Sequence, residues 1–172
     1  MKKKIGEELE KNQILLLFIP ATRYDRKLIK VIEYLSKIFD SICYVTLRKP
    51  ASTLEKLFRK SLEKIYFIDA TPESEKNKGE KVFTVPSPRA LTELGIVIDK
   101  VVRTKKIKVL VFDSISTLSI YEDNFVVTRF SHSLINSLRI KGIKGLFFCR
   151  KEDSKTRLIK DILMFVDNFM SL

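Results

Sequence analysis

The stretch ILLLFIPATRYDRK, Ile14 to Lys27, decides the fold. Its first six residues are all apolar and lack the in-out alternation of a half-solvated strand, so Gln13 to Ile19 reads as a strand buried on both faces. From Lys27 to Phe39 the apolar positions Leu28, Val31, Ile32, Leu35 and Phe39 fall on one side of a helix. Thr22 is the expected N-cap of that helix, with Asp25 at the capping-box spacing. The connector, Pro20 to Arg26, holds no glycine, and none occurs anywhere between Gly6 and Gly79.

Outward from this unit the same pairing repeats. Strands are predicted at Ile42 to Leu47, Ile65 to Asp69, Val82 to Val85, Ile107 to Phe112 and Lys144 to Cys149. Between them lie a helix capped by Ser52 with Glu55, a helix entered through Ser87 and Pro88, and a helix from Phe125 to Ile140 that ends at Gly142. Thr71 to Lys81 is polar and breaker-rich, and reads as an exposed, mobile loop. The tail reads as a helix from about Ser154 to Phe165 and then a strand, Asn168 to Leu172, with one long helix to the terminus as the alternative. Strands alternating with helices predict an α/β fold: a single three-layer domain over residues 1–172, with a mainly parallel central sheet flanked by helices.

The net charge of +12 points toward a polyanionic partner, and Arg103, Lys105, Lys106 and Lys108 are the candidate contacts for it. Cations at a helix C-terminus also complement its dipole, and a Lys-, Ile- and Glu-rich chain with acids interleaved resembles a thermophile surface. Cys43 and Cys149 lie in apolar strand runs and read as core thiols. With no signal-peptide core and no apolar run near the ~20 residues that span a bilayer, a cytoplasmic protein without membrane contact is expected. His132 is the only histidine, so neither a zinc site nor a Ser-His-Asp triad is expected.

The run VLVFDSISTL (Val109 to Leu118), then a polar break, a helix and the strand ending LFFC at Cys149, resembles the central segment of RecA-superfamily ATPases, the KaiC-like proteins of archaea above all. VPSPRALTELGIVIDKV (Val85 to Val101) resembles the helix that precedes that segment. The resemblance implies the RecA-like P-loop NTPase fold. It also implies that Asp113, followed by Ser114, stands where the family orients the water shell of magnesium. A phosphate loop, G-x-x-x-x-G-K-[ST], belongs between the first strand and helix, where glycine lets backbone N–H groups converge on phosphate. Here only Thr22 and Lys27 are left as its vestige. The family's paired glutamates after the second strand are replaced by Arg48 and Lys49, and a guanidinium cannot serve as a general base. Arg150 stands where relatives sense the γ-phosphate, and an ion pair with Glu152 or Asp153 would account for it equally.

These departures predict a catalytically inactive RecA/KaiC-like domain with no catalytic residues, no metal and no cofactor, acting as a regulatory or assembly module. Its partner would be another protein or a second copy. Two alternatives stand beside it: an ATP-independent nucleic-acid-binding module, and a divergent ATPase that takes ATP and magnesium.

Overall fold

The computed structural model describes residues 2–74 and 79–172, with side chains from Ile5 onward. Seven strands, β1 (Ile14–Ile19), β2 (Ile42–Thr46), β3 (Ile65–Asp69), β4 (Val82–Thr84), β5 (Val109–Asp113), β6 (Lys144–Arg150) and β7 (Asn168–Ser171), form one sheet in the order β4-β3-β2-β5-β6-β1-β7. Every pairing is parallel. The helices are α1 (Lys2–Lys11), α2 (Tyr24–Ile38), α3 (Ala51–Leu57), α4 (Leu91–Thr104), α5 (Ile115–Tyr121), α6 (Asn124–Ile140) and α7 (Arg157–Leu163).

The unbroken apolar strand runs are explained by two cores, one on each face. Leu15, Leu17 and Ile19 of β1 meet α1, α2 and α3 on one side, while Ile14, Leu16 and Phe18 meet the layer of α4, α6 and α7 on the other. Each Leu or Ile so enclosed contributes about 1.5–3 kcal/mol, which is why this layering outweighs local preference. Adjacent strands β1 and β6 send their connections to opposite faces, as do β2 and β5. A crevice therefore opens outside their carboxyl ends, where open α/β sheets bind ligands.

The tail forms the predicted strand, β7, and not a continuous helix. Asp167 fixes its register: Oδ2 accepts from the N–H groups of Gln13 and Ile14 at 2.8 Å each, and Oδ1 from Arg139 at 2.6 Å. Burial alone would raise the pKa of this carboxyl, but Arg139 and the two amides outweigh it and hold it below the usual carboxylate range. A depressed folded pKa stabilises fully above the unfolded value of about 3.9 and is lost as pH falls through the folded one. Asp167→Asn should thus cost about 1–2 kcal/mol at pH 7. Urea melts should show that gap closing as pH falls below about 4 and through the depressed folded pKa; a gap that persists in acid would mean that these bonds do not carry the effect.

Three expected helix starts are corrected. Thr22 is exposed in a 3-10 turn, Ala21–Arg23, and α2 begins at Tyr24 with no side-chain cap. Asp25 is instead held by Arg48 and Lys49. Ser52 is exposed and caps nothing, because Asp69 at the end of β3 takes the Ala51 N–H at 2.7 Å. Ser87 accepts from Arg89 in a local turn, and α4 starts only at Leu91. In each case a tertiary partner or a tighter turn wins over the local capping pattern.

The sequence pattern does not reveal α1 or α5. α1 has little apolar sequence, but its Ile5 and Leu9 are buried against the sheet layer. α5 has weak helix formers, yet buries Ile115 and Leu118 while the Ser114 carbonyl accepts from Thr117. Of the expected mobile loop Thr71 to Lys81, residues 75–78 lie outside the described residues. No helix among the described residues is long and apolar enough to cross a membrane.

Candidate functional site

At the carboxyl ends of β1, β2 and β5 the chain builds a closed network around one carboxylate. Asp113, the last residue of β5, is fully buried. Its Oδ1 accepts from the Tyr24 hydroxyl at 2.7 Å and its Oδ2 from the Tyr44 hydroxyl at 2.6 Å. The peptide linking it to Ser114 is cis. Tyr44 stands mid-strand in β2, and Tyr24 opens α2, so the two phenols reach the carboxylate from either side.

Arg48, just past β2, closes the group. Its guanidinium lies over the Tyr24 ring, 4.5 Å from the centroid, and donates to Asp25 at 2.7 Å. Nε sits 3.7 Å from Asp113 Oδ1, an ion-pair and not a hydrogen-bond distance. It is the one buried side-chain polar atom among the described residues without a hydrogen-bond partner. Lys49 adds a second cation on Asp25 at 2.5 Å. Two carboxylates are thus matched by two cations.

The electrostatics follow from this packing. Burial, then the neighbouring Asp113 charge and the hydrogen bond to it, push both phenols well above their ordinary pKa, so Tyr24 and Tyr44 remain donors at neutral pH. Burial would lower the Arg48 pKa, but Asp113 and Asp25 more than restore it. A carboxylate whose two oxygens each hold a phenol is a poor anchor for a hydrated magnesium ion, which needs the same oxygens to order its waters. No cluster of three or more potential metal ligands occurs among the described residues.

Where the phosphate loop would lie, Pro20 leads into the 3-10 turn. The Ala21 N–H, just past the end of β1, is taken by Glu152 at 3.1 Å, from the turn after β6. Of the other expected site residues, Thr22 is exposed, Lys27 is half-buried in the first turn of α2, and Ser114 is buried with its hydroxyl 2.9 Å from that of Thr117. Arg150 pairs with Asp153 at 2.8 Å.

The basic candidates lie at the opposite end of the sheet, where α4 runs into β5 at its amino end. Arg103 is held by Asp99 at 2.9 Å, the Lys105 amine sits 5.6 Å from the Tyr66 ring centroid, Lys106 turns the chain at φ +50, and Lys108 is exposed. The two groups of predicted residues are therefore separate. Tyr24, Tyr44 and Glu152 were not among the expected site residues. A tyrosine within an apolar strand, whose hydroxyl must find a partner, is the one signal that marked Tyr44.

A family model described as KaiC ATPase matches residues 42–172, from the first residue of β2 onward, and leaves out β1 and the connector after it. No curated protein matches. Among solved structures, a KaiC-like protein of the hyperthermophilic archaeon Pyrococcus horikoshii aligns with a TM-score of 0.66 at 17% identity, over 93% of this chain and 70% of that one. At that identity the likeness speaks for the fold alone.

Proposed function

Because the chain belongs to the KaiC ATPase family, we propose that it is a catalytically inactive member, its nucleotide crevice closed by its own side chains, which works through protein contacts as a regulatory or assembly subunit of the cytoplasm. The carrying observation is the capture of Asp113 by Tyr24, Tyr44 and Arg48. Two others support it. The Ala21 N–H is occupied by Glu152, and the positions of the family's acidic pair hold cations that grip Asp25. A connector without glycine, and cations at the positions of the acidic pair, equip the crevice poorly to bind or split a triphosphate.

Calorimetry with ATP and magnesium is expected to give no saturable heat up to millimolar nucleotide. A micromolar dissociation constant would overturn the reading, and wild-type phosphate release that is abolished in an Asp113→Ala protein melting like the wild type would establish the divergent ATPase in its place.

Nucleic-acid binding has one observation of its own. The amines of Lys81 and Lys105 stand 5.8 and 5.6 Å from the Tyr66 ring centroid, an aromatic face between two cations on a chain of net charge +12. That reading requires single-stranded DNA or RNA to bind with an affinity that falls steeply with salt. Binding that ignores salt, or none at physiological ionic strength, removes it.

A further inference from the structure

An open trough of about 1040 Å³ runs between α4 and α6, on the face of the sheet away from α1 to α3. Gly95, Ile96, Val126, Phe130 and Leu134 contribute its apolar lining, and Ile96 is 64% exposed. Its volume lies at the upper end of small-molecule pockets, and its open form suits a chain segment better than an enclosed ligand.

Gly95 is the telling residue. It sits inside α4, where glycine disfavours the helix relative to alanine. A Cβ there would meet only Phe130 Cε2, at an ordinary 3.9 Å, so crowding within the fold does not require glycine. The helix gives up stability at this position and the trough stays open.

The rim is cationic. Arg89, Lys100, Arg103 and Arg129 line it, against Asp99 and Glu122. Asp99 is already bound by Arg103 and Lys141 at 2.9 Å each, and its pKa is lowered by these cations. A second copy of a +12 chain is a poor complement to such a rim. The two walls are helices of 14 and 17 residues, and a third helix laid along them would set its apolar ridge into the groove.

We infer that the α4/α6 trough is a docking groove for an acidic amphipathic helix of another protein. Leucine-type anchors of that helix fill the space beside Gly95, and its carboxylates meet Arg89, Lys100 and Arg129. This deepens the proposed function by naming the surface and the chemistry of the partner, and it rests on that reading.

The test uses the full chain and a fluorescent helical peptide with leucines on one face and glutamates on the other, followed by anisotropy at physiological salt. Two controls accompany it: the same composition scrambled so that no apolar face forms, and a version with lysine for glutamate. The amphipathic acidic peptide is expected to bind at least about tenfold tighter than either control. Gly95→Leu, which fills the trough, and Arg129→Glu, an exposed change that leaves the helix packing alone, should each remove most of that advantage. Equal binding of the scrambled peptide, or binding that survives both variants, overturns the inference. Neither result bears on nucleotide, so failure here leaves the closed crevice standing, whereas ATP binding would remove the reading on which the groove's role rests and leave peptide binding to be read separately.

Discussion

Asp113→Ala is expected to cost the fold about 3–5 kcal/mol, the usual result of removing one partner from a buried charged network. Two buried hydroxyls lose their acceptor at once, and the guanidinium of Arg48 loses its one fully buried counter-charge, 3.7 Å from Nε, keeping only the half-exposed Asp25. Against a total stability of about 5–15 kcal/mol, such a variant would be close to unfolding in cells. Asp113→Asn keeps one carbonyl for a phenol but abandons the charge, and should fall between the two. Urea denaturation of the three proteins measures this directly. In a magnesium site the same carboxylate faces ion and water, so its loss abolishes turnover and leaves stability nearly unchanged. An Asp113→Ala protein that melts like the wild type would therefore contradict the closed network.

Arg48→Glu should be as damaging, by at least about 3 kcal/mol at pH 7, although it returns an acid toward the pattern that the family resemblance implies. It would set a third carboxylate beside Asp25 and Asp113 and leave Lys49 to oppose them. Like charges and partial burial would raise the folded pKa of the new group above its unfolded value of about 4.3. For an acid with a raised folded pKa the penalty is complete above that pKa and fades as pH falls through it. Thermal melts should thus show the variant recovering between about pH 7 and pH 5, the reverse of the Asp167 contribution. Rescue by millimolar magnesium at pH 7 would instead mean that the crevice still assembles a metal site, which runs against the proposed function.

Both predictions concern contacts that no local pattern announces. Tyr24 and Asp113 are far apart in sequence, as are Tyr44 and Asp113, and each pair meets only because β5 lies beside β2 and near β1 in the sheet. Arg48 was legible as a missing base, yet its role as a cation over Tyr24 needed coordinates. Glu152 was legible only as a neighbour of Arg150, which in fact binds Asp153, while Glu152 crosses to Ala21. The vestigial pair Thr22 and Lys27 could be located in the chain, but whether either faced a ligand could not.

The sequence by itself determined the layering, because a strand enclosed on both faces must be apolar along its length, and β1 carries that mark at every position while β2, β5 and β6 carry it at all but their end residues. It also determined the absence of the glycine loop, since a backbone cradle needs residues without a Cβ. The tertiary structure alone decided what fills the crevice and what starts the helices. Asp69 replaces Ser52 at the head of α3, and two tyrosines and an arginine surround Asp113, because side chains from strands distant in sequence converge at the carboxyl edge of the sheet. Hydrogen bonds to a buried carboxylate there outweigh any capping preference that neighbours along the chain can offer.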